Sequence, residues 1–223
     1  MRRLLIFVKD PVPGRVKTRL AAEIGDEAAC QIYRACAELT LERLAGFHKE
    51  AVLCVDPPEA VGSIQRWLGS GWMLRGQQGA TLGERLAEAT NQAFASGAAR
   101  VVVVGTDSPW LAPEEVRQAF TELEQAELVL GPTDDGGYYL VGLAKPLPAL
   151  FEDVAWSSPQ VYAQTLAHAR ACGLRVRHLP RGYDIDYLRD VTRFLEAERR
   201  RGRLPAAAQA IEACSQRRAP CLS

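Results

Sequence analysis

Several common functional motifs are missing from this 223-residue chain. No C-x-x-C pair occurs, and no histidine stands at zinc-site spacing, which argues against a structural zinc centre. There is no G-x-S-x-G motif, and neither His168 nor His178 lies beside a serine or cysteine motif, so a nucleophilic hydrolase finds little support. The patterns G-x-x-x-x-G-K-[ST] and G-x-G-x-x-G are absent too, which excludes a P-loop and a Rossmann dinucleotide site.

The chain also lacks net charge and long apolar runs. It has 27 basic and 27 acidic residues, so no overall field favours nucleic acid or an anionic membrane. Arg2 and Arg3 precede only five apolar residues, too few for an export signal, and no run approaches membrane-spanning length. The six cysteines show no pairing pattern and are typical of a reduced protein. We therefore expect a soluble, cytoplasmic protein without nucleic-acid partner or membrane span.

What the chain does have is a regular alternation of strand and helix patterns. Helix patterns at 26–47, 82–94, from 113, at 157–172 and from 190 separate short apolar runs. These runs are predicted strands at residues 4–8, 51–55, 72–74, 101–104, 128–130, 138–143 and 176–179. Because the run at 138–143 follows another strand without a helix, it interrupts an otherwise parallel βαβ order. The sequence predicts a three-layer α/β/α domain with a mainly parallel mixed sheet over residues 1–200. Residues 201–223 are expected to form a C-terminal helix or tail, with a homodimer contact as an alternative.

The loop after the first strand, residues 9–20, is basic and contains two prolines. Pro11 and Pro13 remove backbone donors and fix φ, and Gly14 frees the next position, so we expect irregular structure here. Ligands in open α/β sheets bind at the carboxyl ends of the strands, where fixed positive charge suits a polyphosphate. The alternative is a solvated basic turn. The cations of this basic loop are Lys9, Arg15, Lys17 and Arg19.

Acidic loops follow three later strands. Asp107 comes directly after the run at 101–104, and two explanations are equally good: it is a ligand of Mg²⁺ or Mn²⁺ beside phosphate, or it caps a turn. Asp184 and Asp186 alternate in an extended segment, so either could add a carboxylate, or the segment could cap a helix. The Asp-Asp-Gly-Gly-Tyr-Tyr segment at 134–139 is a good turn sequence that could also admit a sugar or a base. Together the loops suggest a metal–nucleotide site.

Five motifs occur in an order that resembles a known family. They are K-x-P-x-P-G-x-V-K-T-R-L, then G-T-D-S-P, D-G-G-Y-Y-L-V-G-L, W-S-S and D-I-D, spread over residues 3–198. The chain is similar to the bacterial glycosyltransferase-A-like family of the nucleotide-diphospho-sugar transferase superfamily. Members are assigned to a domain of unknown function or to an arsenosugar-pathway glycosyltransferase. Relatives include phospholactate guanylyltransferase and the molybdenum-cofactor guanylyltransferase.

The resemblance implies roles for particular residues. Asp107 is the leading implied metal ligand and Asp186 a second candidate, and Asp135, Gly136 and Gly137 are implied to line the donor or acceptor pocket. We expect Asp107, Asp135 and Lys17 to be the catalytic residues. The residues assigned to nucleotide binding are Lys9, Pro13, Gly14, Lys17, Thr18, Arg19 and Thr106. The residues assigned to substrate binding are Gly136, Gly137, Tyr138, Trp156 and Ser157.

The expected function is metal-dependent transfer from a nucleotide-activated donor to a small-molecule acceptor. Glycosyl transfer is slightly favoured, with Mg²⁺ or Mn²⁺ and the basic loop neutralising charge on a departing nucleoside diphosphate. Asp135 is a candidate general base for an acceptor hydroxyl. Nucleotidyl transfer to a phosphorylated small molecule fits the basic loop equally well. A third alternative is a nucleotide-binding regulator that has lost its chemistry.

Overall fold

The computed structural model describes residues 1–202 and 205–215 and contains a seven-stranded sheet. Its strands are β1 (Arg2–Lys9), β2 (Ala51–Asp56), β3 (Met73–Gly76), β4 (Arg100–Gly105), β5 (Leu128–Pro132), β6 (Tyr138–Leu143) and β7 (Val176–His178). The spatial order is β3-β2-β1-β4-β6-β5-β7. Only β6 runs antiparallel to its neighbours β4 and β5 within this described sheet. The predicted mainly parallel mixed sheet is confirmed, including the strand at 138–143 that interrupts the parallel order.

Helices cover both faces of the sheet. Within the described residues they are α1 (Thr18–Ile24), α2 (Asp26–Arg43), α3 (Val61–Leu68), α4 (Leu82–Ala95), α5 (Pro113–Glu122), α6 (Val161–Ala171), α7 (Leu188–Arg200) and α8 (Ala206–Ser215). One face packs against α2, α3 and α5, and the other against α4 and α6. The helices α1, α2, α7 and α8 share a further apolar cluster. This is the predicted three-layer arrangement.

Alternating burial explains why the central strands are apolar throughout. Leu4 and Ile6 of β1 enter the core on one face, whereas Leu5 enters the core on the other. Val102 and Val103 of β4 divide in the same way. Because such a strand is covered on both faces, it has no position for a polar side chain. The polar residues therefore lie in the loops that follow the strands.

Several predicted boundaries were wrong. The basic loop was expected to be irregular to residue 20, but α1 begins at Thr18, because Leu20 and Ile24 are both buried one turn apart. The helix expected from Ser157 starts only at Val161, since Ser157 has a left-handed backbone with φ 63°. The helix expected from Asp190 starts at Leu188, and the Asp190 carboxylate accepts the Tyr187 amide at 2.8 Å.

The C-terminal segment is described only in part. Ala208 and Ile211 of α8 are buried against α2 and α7. The rest of the predicted tail, residues 203–204 and 216–223, lies outside the described residues. None of the described helices combines the length and the apolar character needed to cross a membrane.

A buried ion pair ties α2 and α7 to the loop after β4. The Glu198 carboxylate lies 2.5 Å from a guanidinium nitrogen of Arg43, and the Glu198 side chain is only 3% exposed. Arg43 also donates a hydrogen bond to the Pro109 carbonyl, two residues beyond Asp107. The pair therefore supports the Asp107 loop from behind.

We predict that Glu198→Gln lowers the free energy of unfolding by about 3 kcal/mol, because it leaves the Arg43 charge buried without its counter-ion. Urea denaturation monitored by circular dichroism measures the change. The matched control is Glu196→Gln on the same helix, whose exposed partner Arg200 lies 3.4 Å away. That variant should change stability by less than about 1 kcal/mol. Equal effects of the two substitutions would contradict the prediction.

Candidate functional site

The loops that follow β1, β4 and β7 meet at one edge of the sheet. The Ile185 amide donates to the Asp107 carbonyl at 2.9 Å, and the Ser108 hydroxyl donates to the Asp184 carboxylate at 2.5 Å. The Trp110 indole N–H donates to the Tyr183 carbonyl at 2.6 Å. These bonds hold the Asp107 loop against the segment 183–187. The two meet because loops that follow parallel strands emerge at the same edge of the sheet.

The centre of this edge is an ammonium group between two carboxylates. Lys17 Nζ makes a short ion pair with Asp107 Oδ1 and lies 3.5 Å from Asp186 Oδ1. Its side chain is only 2% exposed, whereas the Asp107 side chain is 46% exposed. The other Asp186 oxygen accepts a hydrogen bond from Arg19 at 2.9 Å. We call Lys17, Asp107 and Asp186 the central cluster.

The backbone turns Lys17 inward. Lys17 has φ 49° and ψ 44°, a left-handed conformation that is uncommon outside glycine and marks a position held by its surroundings. Val16 beside it is buried against Cys30 and Tyr33, and Leu20 anchors the first turn of α1. With both neighbours fixed in the core, the Lys17 side chain is directed toward the carboxylates.

Electrostatics keep Lys17 and Asp107 ionised. Burial alone would lower the pKa of Lys17, but Asp107 and Asp186 outweigh it, so the pKa lies above its ordinary value. Burial would raise the pKa of Asp107, but the Lys17 ammonium outweighs it and the pKa is lowered. Asp184 behaves differently: burial, together with repulsion from Asp107, raises its pKa to about 7. Asp184, which is partly exposed at the α7 groove, is therefore protonated more readily than Asp107.

Tyr33 is a supporting residue that sequence reasoning missed. Its hydroxyl oxygen accepts the Lys9 amide at 2.6 Å, and the Thr106 hydroxyl lies 3.3 Å away. Burial, the largest effect, raises the pKa of Tyr33, so the hydroxyl stays neutral. Tyr33 thus joins the start of the basic loop to the loop after β4, and the 1% exposed Thr106 supports the site from behind. In the sequence Tyr33 is indistinguishable from any buried position of an amphipathic helix.

Two grooves lie near the central cluster: Asp186 of the cluster lines one, and Val16, the chain neighbour of Lys17, lines the other. The β1–β2 groove, about 290 Å³, is lined by Lys9, Asp10, Val12, Arg15, Val16, Asp56 and Pro57. The α7 groove, about 410 Å³, is lined by Arg19, Asp134, Asp135, Tyr183, Asp184, Asp186, Tyr187, Arg189, Asp190 and Arg193. The sequence predicts that Lys9, Lys17 and Arg19 contact the phosphates of one nucleotide, and that contact stays a prediction. In the structure Lys9 and Arg15 line the first groove, Arg19 lines the second, and Lys17 is buried beside Asp107.

The Asp-Asp-Gly-Gly segment forms a tight turn at the α7 groove. Asp135 Oδ1 accepts hydrogen bonds from the Thr133 hydroxyl at 2.6 Å and the Gly137 amide at 3.1 Å. Gly136 has φ 89°, and a Cβ there would lie 2.1 Å from the Pro159 carbonyl oxygen. The close approach that Gly136 permits is therefore to the protein's own backbone. Asp135 lines the α7 groove, and its predicted role there stays a prediction.

The other predicted substrate residues lie away from the grooves. Tyr138 packs edge-on against Trp156 with ring centroids 6.4 Å apart, on the α4 and α6 side of the sheet. The Tyr138 hydroxyl is buried and has no hydrogen-bond partner among the residues described. Neither ring lines either groove, nor does the exposed Ser157. For these three residues, substrate contact stays a prediction. Three of the residues predicted to bind the nucleotide, Pro13, Gly14 and Thr18, are exposed in the segment 9–20.

Comparison with known proteins identifies the family. The model of the family described as "Uncharacterized protein conserved in bacteria (DUF2064)" matches residues 40–158. The chain belongs to this family. A proposed nucleotide-diphospho-sugar transferase from Desulfovibrio desulfuricans G20 is 33% identical, with 96% of each chain covered and a TM-score of 0.88. No curated protein matches the chain.

More distant structures share the fold. The 4-diphosphocytidyl-2C-methyl-D-erythritol synthase of Anaerococcus prevotii DSM 20548 is 14% identical, with 91% of this chain and 99% of that chain covered, and a TM-score of 0.58. A CMP:2-keto-3-deoxy-manno-octonic acid synthetase complexed with CTP is 13% identical, with 89% and 99% covered and a TM-score of 0.53. The predicted nucleotide-diphospho-sugar transferase-like fold is confirmed for this DUF2064 member. The arsenosugar pathway stays a prediction.

The carboxylates of the central cluster are suitable ligands for Mg²⁺ or Mn²⁺ when a substrate phosphate completes the coordination. No group of three or more His, Cys, Asp or Glu is arranged to hold a metal within residues 1–202 and 205–215. Two carboxylates, Asp107 and Asp186, nevertheless face one cationic position, now taken by Lys17. Mg²⁺ is commonly bound by one or two carboxylates completed by water and substrate phosphates. The residues therefore fit a cation that binds together with a phosphate-bearing substrate.

The raised pKa of Asp184 gives a pH-dependent prediction. Its folded-state pKa of about 7 exceeds the ordinary value of 3.8, so its contribution to stability is present at pH 4 and lost as pH rises through 7. Asp184→Asn removes the titrating carboxyl group, so the variant does not lose this part of its stability as pH rises. We expect its stability relative to wild type to increase by up to about 4 kcal/mol between pH 4 and pH 8. Urea denaturation in chelator-containing buffer measures this.

The control for this series is Asp153→Asn, an exposed position with φ 51° that asparagine tolerates. The Asp153→Asn series records the pH dependence that comes from removing an exposed carboxylate outside the site. If the Asp184→Asn difference is constant from pH 4 to pH 8, the Asp184 carboxyl is not perturbed as described.

Proposed function

We propose that this protein is a metal-dependent transferase that moves a glycosyl group from a nucleotide-activated donor to a hydroxyl acceptor. The observation that carries the proposal is the central cluster, a buried ammonium held between Asp107 and Asp186. Asp186 lines one groove, and Val16, the chain neighbour of Lys17, lines the other. Such a centre can stabilise charge that develops between two substrates. The similar Desulfovibrio desulfuricans protein is named as a proposed nucleotide-diphospho-sugar transferase, and this name supports the same class of enzyme.

The β1–β2 groove is the proposed donor site. Lys9 and Arg15 line it, and neither forms an ion pair with any residue described. Its carboxylates, by contrast, are engaged: Asp56 pairs with Arg85 at 2.6 Å, and Asp10 accepts the Ser63 hydroxyl at 3.2 Å. Two cations without an ion pair among the described residues, one at the end of β1 and one in the loop after it, favour the phosphates of a nucleotide.

In the proposed reaction the bond between the sugar carbon and the diphosphate oxygen breaks, and a bond to the acceptor oxygen forms. Lys9, Arg15 and Lys17 hold the departing nucleoside diphosphate and stabilise its growing negative charge. Mg²⁺ or Mn²⁺, bound by Asp107, Asp186 and phosphate oxygens, would add positive charge facing the same leaving group. Asp135 is positioned at the α7 groove to accept the proton of the acceptor hydroxyl.

The charge of the α7 groove favours a hydroxyl acceptor over a phosphorylated one. Five aspartates and three arginines line it; Asp184 is the aspartate with the raised pKa, and Asp135 has no arginine partner among the described residues. Each guanidinium already has a carboxylate neighbour: Arg19 pairs with Asp186, Arg193 with Asp134 at 2.7 Å, and Arg189 lies 3.8 Å from Asp190. A phosphate would meet unbalanced negative charge here, whereas hydroxyl groups can bond to both carboxylates and guanidinium groups.

Nucleotidyl transfer is the second candidate, and the three arginines of the α7 groove are the observation in its favour. Arg189 and Arg193 are 76% and 53% exposed, so a phosphorylated acceptor could compete for them with their carboxylate partners. In that reaction a nucleoside triphosphate would bind in the β1–β2 groove, and pyrophosphate would leave.

Product analysis separates the candidates. With Mn²⁺ and a panel of nucleotide sugars and nucleoside triphosphates, we expect release of nucleoside diphosphate from a nucleotide sugar and no pyrophosphate from any triphosphate. Asp107→Asn should lower kcat by about 10²-fold or more, the usual loss for a group that stabilises transition-state charge. Chromatography of the nucleotide products provides the measurement.

Two further variants test the donor groove in the same assay. Arg15→Met should raise KM for the nucleotide sugar by about tenfold, because it removes a phosphate contact. Arg200→Met, an exposed arginine of α7 outside both grooves, should leave kcat and KM unchanged. Pyrophosphate release would establish nucleotidyl transfer instead, and nucleotide binding without turnover of any substrate would favour the regulator.

A further inference from the structure

Lys17 occupies the place where a divalent cation would meet both carboxylates. Its ammonium contacts Asp107 Oδ1 and lies 3.5 Å from Asp186 Oδ1. At 2% exposure, the Lys17 side chain is held inside the protein. A divalent cation at the same point would lie within a few ångströms of the ammonium, where the repulsion between like charges is large.

Few carboxylate oxygens remain for a metal while Lys17 stays there. Asp186 Oδ1 faces Lys17, and Asp186 Oδ2 accepts from Arg19 at 2.9 Å. Asp107 Oδ1 is paired with Lys17, which leaves Asp107 Oδ2 with no partner among the residues described. A single carboxylate oxygen beside an ammonium group is a poor site for Mg²⁺ or Mn²⁺.

Lys17 also has a route out of the central cluster. Arg15 and Val16, its neighbours in the chain, line the β1–β2 groove, so phosphates bound there lie beside the Lys17 backbone. A lysine side chain has a flexible four-carbon stem and can exchange a carboxylate for a phosphate oxygen without losing its ion pair. The two carboxylates would then be released together.

We propose that Lys17 holds the cation position in the free protein, so that the divalent metal binds only when donor phosphates draw the ammonium away. This inference rests on the proposed use of a nucleoside diphosphate donor. It assigns an order to the reaction, since donor and metal arrive together and the free protein has little affinity for the metal alone. The exchange conserves local charge, because phosphate and metal enter as Lys17 leaves its carboxylates.

Mn²⁺ titration of the full chain without nucleotide, followed by electron paramagnetic resonance of the unbound ion, tests this. The wild-type protein should bind Mn²⁺ weakly, and Lys17→Met should bind it at least about tenfold more tightly, because the competing charge is gone. Adding Asp107→Asn to Lys17→Met should abolish the gain, which would place the ion at the central cluster.

Two matched variants separate charge from loop rearrangement. Lys17→Arg keeps the positive charge and should bind Mn²⁺ as weakly as wild type. Arg19→Met removes the other cation on Asp186, but Arg19 is 47% exposed, so the gain should stay below about fivefold. Circular dichroism and thermal unfolding establish that each variant is folded.

Tight Mn²⁺ binding by the wild-type protein would overturn the inference. A folded Lys17→Met that binds Mn²⁺ no better than wild type would overturn it too, as would equal gains from Lys17→Met and Lys17→Arg. These results are independent of turnover. The metal titration can fail while the product assay finds a transferase, and it can succeed in a protein that turns over nothing.

Discussion

The ammonium of Lys17 is buried, and a buried charge is tolerated only where it is paired. Both of its carboxylate partners come from distant parts of the chain, Asp107 from the end of β4 and Asp186 from the segment before α7. The fold has to bring three loops to one point to satisfy this single charge. The left-handed backbone at Lys17 and the bonds of Tyr33 and Ser108 hold those loops together.

The same constraint separates the site into two chemically different grooves. Lys9 and Arg15 line one groove, whereas Arg19 and Asp135 line the other together with Asp186. The first groove has cations without ion pairs, and the second has cations that are already matched by carboxylates. A phosphate-bearing donor and a hydroxyl-bearing acceptor are the substrates that this asymmetry suits best.

Most of the fold could be predicted from the sequence. The four valines of β4 and the apolar run of β6 predict strands from composition alone. Because no helix lies between β5 and β6, the sequence also indicates that β6 departs from the parallel order. Asp107 and Asp186 could be placed at the site because each follows a strand at the same edge. Side-chain direction could not be predicted, since it depends on tertiary contacts.

Arg19 and Tyr138 illustrate that limit. Only Thr18 separates Arg19 from Lys17, yet the helical turn that begins at Thr18 carries Arg19 to the α7 groove, and the expectation of an irregular loop concealed this. Tyr138 follows two glycines and resembles a stacking residue, but strand alternation directs its ring toward Trp156 and the core. The role of Tyr33 depends on its hydroxyl contact with Lys9, which no pattern in the chain reveals.

The central claim is that Asp107 and Asp186 bind a metal beside a nucleotide. A crystal structure with Mn²⁺ and a nucleoside diphosphate, with anomalous diffraction locating the ion, tests it most directly. The predicted result is one anomalous peak about 2.1 Å from oxygens of both carboxylates and of the diphosphate, with the phosphates against Lys9 and Arg15. A bound diphosphate with no peak at these carboxylates, or phosphates in the α7 groove, would contradict it.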